Sequence, residues 1–136
     1  MNKKSSGQKT AWQQMALVWK KHVKPPSRPC PSQIKIWEKV LKEKIEEVKN
    51  PKVLILGVTP ELRDLVNKYS LSTIVCDINP EMIKAMNKSI KYKNSKEKII
   101  IRNWLEMDFI KEKCQRNFIF GLKMFLAGSL NISLFF

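Results

Sequence analysis

Two residues stand at a spacing that could handle a polar ligand, Gly57 and Asp77. Gly57 follows a short run of branched apolar residues, 52–56 (KVLIL), and Thr59-Pro60-Glu61 comes directly after it. Glycine lets a backbone approach a ligand closely, and the free N–H groups of a helix start attract an anionic group such as a carboxylate. Asp77 ends a second apolar run, 73–76 (TIVC), and lies 20 residues after Gly57. That is close to the roughly 20 residues at which a strand-loop-helix-strand unit sets a carboxylate on a ribose. The same acid could instead serve only to cap the helix that follows it.

The elements around these residues are legible. Residues 52–56 are too few for a helix and suit a fully buried parallel strand. Thr59 then reads as an N-cap, Pro60 as the first helical residue and Glu61 as an acid facing the positive end of the helix dipole. Leu62, Leu65 and Val66 form the buried stripe of that helix. Asn79-Pro80-Glu81 repeats the cap-Pro-Glu grammar and opens another helix with Met82, Ile83, Met86 and Ile90 inward. Residues 91–98 read as a solvated basic loop and Ile99–Arg102 as a third strand, from whose end Asn103-Trp104-Leu105 departs. Strands alternating with helices over short loops predict a parallel sheet, and ligands of such sheets bind outside the carboxyl ends of the strands. Gly57–Glu61, Asp77–Asn79 and Asn103–Met107 should therefore meet in one crevice.

Upstream, residues 1–9 are polar and basic and predict disorder. Trp12, Ala16, Trp19 and Val23 fall on one stripe of a helix over 10–23, expected to cover the edge of the following domain. Pro25–Ser32 (PPSRPCPS) is a stiff connector. Ser32 reads as the cap of the next helix, with its stripe on Ile34, Trp37, Leu41, Ile45 and Val48. The chain thus divides into a basic arm, 1–31, and an α/β domain, 32–136.

The 136 residues allow one domain with a modest core, at a net charge of +14. Lysine supplies 22 of the 26 basic residues, whereas bidentate recognition of phosphates or bases favours arginine. The charge therefore predicts only weak, non-specific attraction to nucleic acid. Three scattered cysteines and one histidine point to neither a disulfide framework nor a metal site, and fit a reducing cytoplasm. The segment 118–136 (FIFGLKMFLAGSLNISLFF) carries one charge, Lys123. It reads as a buried strand plus loop, with a tail anchor in a membrane as the rival reading. Three strands and part of a fourth make an incomplete sheet, as if a larger domain were cut short.

Taken together, VLILGVTPELRDL, TIVCDINPEMIKAM and RNWLEMDF resemble the consecutive nucleotide-site motifs of class I S-adenosylmethionine-dependent methyltransferases, over about residues 25–110. The resemblance implies a Rossmann-like three-layer sandwich with a mainly parallel sheet of three to four strands, preceded by two N-terminal helices. It implies S-adenosyl-L-methionine as cofactor, with Gly57, Val58 and Thr59 beneath its methionine part. Asp77 would accept from both ribose hydroxyls, Ile78 would lie against adenine, Asn103 would receive the adenine amino group, and Trp104 or Leu105 would add a backbone N–H and apolar cover.

The sequence departs from the family in placing Thr59 and Glu61 where further glycines usually stand, and Ile55 and Ala127 where acids do. Cofactor binding is thereby better supported than turnover, and no general base or methyl acceptor is identified. The rival functions are a nicotinamide-dependent oxidoreductase, which wants GxGxxG where this chain has GVTPEL, and a non-catalytic basic RNA-associating module using Trp12 and Trp19.

Overall fold

The computed structural model describes residues 4–25, 28–103, 106 and 118–121. Their order is α1 (Lys4–His22), α2 (Pro31–Glu47), β1 (Lys52–Leu56), α3 (Pro60–Asn67), β2 (Ser72–Asp77), α4 (Pro80–Asn87), β3 (Glu97–Ile101) and β4 (Phe118–Gly121). The strands form one sheet in the order β3-β2-β1-β4, and every pairing is parallel. Val53 faces Thr73 and Ile119, and Val75 faces Ile99. The chain is thus an α/β fold on a parallel sheet, as its alternating pattern predicts.

Period-two burial explains the strands. Val53, Ile55 and Val75 share one face and join the core with Leu62, Leu65 and Val66 of α3 and Met82, Ile83 and Met86 of α4. Leu54 and Cys76, on the opposite face, are also buried. Such two-sided burial is why these strands read as continuous apolar runs rather than alternating ones. Ahead of β1, Asn50 takes the left-handed backbone region (φ 53°), which asparagine tolerates better than most residues.

The two N-terminal helices belong to the same core. Trp19 of α1 is 1% exposed, and Trp37 and Leu41 of α2 are buried beside it in one cluster. α1 packs against α4, and α2 against α3. A second tie, between α2 and the turn that ends α3, is polar: Glu38 Oε1 accepts from Lys68 Nζ at 2.8 Å and from Tyr69 Oη at 2.5 Å.

Several boundaries differ from the sequence reading. α1 begins at Lys4, within the stretch expected to be disordered, because each residue added to an existing helix gains a hydrogen bond without the cost of a new nucleus. α2 is capped at Cys30, not Ser32: Pro31 takes the first helical position and Gln33 Oε1 accepts the Cys30 N–H at 3.0 Å. β3 starts at Glu97, two residues early, where the Thr73–Glu97 pair opens its ladder. The 91–98 stretch is tied down rather than merely solvated. Asp64 Oδ1 accepts the N–H groups of Lys91 and Tyr92 at 2.8 and 3.1 Å, and Asn94 Nδ2 donates to Leu71 O at 2.8 Å.

Among the described residues no helix is long and apolar enough to cross a membrane. The start of the proposed tail anchor, Phe118–Gly121, is a sheet strand, and residues 122–136 lie outside the described residues.

Candidate functional site

The ends of three strands lie side by side. Leu56 is in register with Cys76, and Asp77 with Ile101. The ladders run on past these pairs, with Gly57 N–H donating to Cys76 O at 2.7 Å and Arg102 N–H to Asp77 O at 3.0 Å. Gly57, Asp77 and Asn103 therefore leave neighbouring positions along one edge of the sheet.

At the end of β1 the chain turns sharply. Gly57 has φ 92°, a conformation in which a Cβ would collide with the backbone. Val58, Thr59 and Pro60 follow, all buried, and Pro60 starts α3. Thr59 stands at the N-cap position but does not cap with its side chain. Its Oγ1 is buried and has no hydrogen-bond partner among the described residues. The expected cap is thus an orphaned hydroxyl, and a buried polar atom without a partner is a costly feature in a native fold.

The end of β2 is built differently. Asp77 is buried, and its Oδ1 accepts the Asn79 N–H at 2.9 Å. That bond bends the chain back on itself, as aspartate does in a side-chain-to-backbone turn. Asn79 is the working cap of α4, its Oδ1 accepting the N–H groups of Glu81 and Met82 at 3.0 and 3.2 Å. The acid therefore shapes the loop as well as charging it. A carboxylate has about four acceptor positions, so one such bond leaves capacity for hydroxyl donors. Between Asp77 and Asn79, Ile78 stands 55% exposed. Ile101, the register partner of Asp77, is 58% exposed.

On the third strand end Asn103 is half-buried; its Nδ2 donates to Glu106 Oε1 at 3.2 Å and its carbonyl accepts the Glu106 N–H at 3.1 Å. Trp104 lies outside the described residues, and no position is assigned to it. Cys76, just before Asp77, has its thiol pushed above the ordinary value, first by burial and then by the Asp77 charge. It donates to Arg102 O at 3.4 Å and is a structural thiol, not a nucleophile. Among the described residues no group of three acidic, histidine or cysteine side chains is arranged to hold a metal.

Two arrangements escaped the sequence reading. Glu61, expected only to face the dipole of α3, is engaged by the Arg28 guanidinium and by Trp19 Nε1, the latter at 3.4 Å. The connector and α1 are thereby fastened beside the Gly57–Pro60 turn. With its ring buried there, Trp19 cannot stack on an exposed base. At the far end of the sheet Arg63 forms a fork with Glu97 (Nη2–Oε1 2.6 Å, Nε–Oε2 3.1 Å) and donates through Nη1 to Asn87 Oδ1 at 2.8 Å. Asn67 Nδ2 adds a bond to Glu97 Oε2 at 3.2 Å. The one available signal was an arginine set among the buried positions of a short helix.

Searches of family models, curated proteins and solved structures find no match to this chain.

Proposed function

We propose that the chain binds S-adenosylmethionine, or its demethylated product, in a Rossmann-like methyltransferase domain of class I. The observation that carries this reading is the juxtaposition of a buried Asp77 at the tip of β2 with the left-handed Gly57 turn at the tip of the adjacent β1. The strand order adds support. β1 has β2 on one side and β4 on the other, so the chain reverses direction across the sheet at β1, where ligands of open parallel sheets bind.

In this reading the 57–59 turn runs beneath the methionine part of the cofactor, and the orphaned Thr59 hydroxyl has a partner when the site is filled. Asp77 accepts from the ribose hydroxyls, exposed Ile78 covers a face of adenine, and Asn103 accepts from its amino group. The cofactor brings a methyl already activated by a sulfonium charge. The domain's contribution to transfer is then mainly to hold donor and acceptor in line.

Calorimetry of the purified chain with S-adenosylmethionine, S-adenosylhomocysteine and NAD tests the proposal, using Asp77→Asn as the variant. Asparagine keeps an oxygen for the Asn79 N–H while removing the charge. The expected result is binding of the first two ligands and not of NAD, weakened roughly tenfold to a hundredfold in the variant, since a hydrogen bond to a charged group is worth about 1.5–3 kcal/mol. No binding of either sulfur nucleotide, or unchanged affinity in a folded Asp77→Asn, overturns it.

A further inference from the structure

A groove of about 580 Å³ opens between the end of α1, the proline connector and the start of α2. Its rim carries Lys21, Lys24, Arg28 and Lys35 against a single carboxylate, Glu61, which is itself engaged by Arg28 and Trp19. Val23, Pro29 and Ile34 give it an apolar floor. The cations belong to a stretch in which no acidic residue precedes Glu38 while eight lysines and arginines do.

We infer that this groove is a binding site for single-stranded nucleic acid, read without sequence preference. Sustained positive charge along a channel matches a partner with one charge per nucleotide, and lysines act as point-charge contacts for phosphates. The proline rings and aliphatic floor give the faces of unstacked bases an apolar surface to lie against. An acidic peptide offers the charge without the rings, and a membrane surface is flat where this site is concave. The inference is independent of the cofactor reading, since none of the rim cations lies among Gly57, Asp77 and Asn103.

The test is fluorescence anisotropy of the full chain with a labelled oligouridylate across a salt series. The charge-reversal triple Lys21→Glu, Lys24→Glu, Lys35→Glu is compared with a matched triple of exposed lysines elsewhere, Lys84→Glu, Lys88→Glu, Lys93→Glu. Circular dichroism establishes that each is folded. The groove triple should weaken binding at least about tenfold and lower the salt slope by about 2, as loss of three contacts to a single strand predicts. The matched triple should do markedly less. Cys30 also lines the groove, so bound oligonucleotide should slow its alkylation in the unsubstituted chain. Equal losses in the two triples overturn the inference, as does undiminished alkylation of Cys30 at saturation. Polyglutamate that binds as well as the oligonucleotide, or anionic vesicles that displace it from the groove, does the same.

Discussion

Removing Arg63 should destabilise the chain more than any surface change. Its side chain is 3% exposed and that of its partner Glu97 10%, and the two meet in a fork with both contacts at hydrogen-bond distance. In Arg63→Ala the Glu97 carboxylate keeps Asn67 Nδ2 at 3.2 Å but loses the opposite charge, and Asn87 Oδ1 loses its guanidinium donor. A buried carboxylate stripped of its cation costs about 3–5 kcal/mol, a large share of the roughly 5–15 kcal/mol that a domain of this size has. The double variant Arg63→Met, Glu97→Leu removes both charges and fills much of the same volume, and it should recover most of that loss. Urea unfolding followed by circular dichroism measures both, with the slope checked for constancy. A loss in Arg63→Ala of less than about 1 kcal/mol, the ceiling for an exposed pair, would refute a buried, mutually dependent pair. A double variant no more stable than the single one would refute it equally.

Thr59→Val should raise the melting temperature of the ligand-free chain, by about 1 kcal/mol in stability, because it deletes a buried hydroxyl that no described residue satisfies; a lower melting temperature would show that the hydroxyl is bonded. The Cys30 thiol is held below its ordinary value, chiefly by the Ser32 hydroxyl 3.0 Å away. Its alkylation should therefore begin at lower pH than that of an ordinary thiol, shift upward in Ser32→Ala, and precede that of buried Cys76 in peptide mapping. Glu38 sits below the usual carboxylate range, first through the Lys68 hydrogen bond and then through Tyr69, so its contribution is present above the unfolded value and fades as pH falls through the lowered folded one. Lys68 is raised, first by its hydrogen bond to Glu38; its contribution is present below the unfolded value and fades as pH rises through the raised folded one. Glu38→Gln should flatten both limbs of a stability-versus-pH curve by slightly lowering the neutral plateau between them, and a steeper acid limb would contradict this.

Much of the sheet was legible because its signals are local. The run 52–56, the break at Gly57 and the Pro60 start are adjacent in sequence, and the structure keeps all three. Asn79 was read correctly as a cap because its proline and glutamate follow directly. Thr59 carries the same grammar and does not cap, since the backbone before it leaves the strand through a left-handed glycine rather than through a side-chain-bonded turn. Glu97 and Arg63 were missed because each looks like a surface charge until residues 34 apart are brought together. β3 was placed late for the same reason: its first residue is polar, and its pairing with Thr73 and its fork with Arg63 come from tertiary contact. Trp19 was expected to cover an edge, and its Glu61 partner was not foreseeable from helical periodicity.

The setting of Trp19 also has a consequence for the order in which the fold is completed. Its indole bonds an acid 42 residues downstream, and its helix rests on α4, which ends at Asn87. Helix α1 cannot shelter its indole until the two strand-helix units that follow it, β1-α3 and β2-α4, are in place. Closure of that helix over its platform then follows the placing of α4, and burial of the Trp19 indole marks that step.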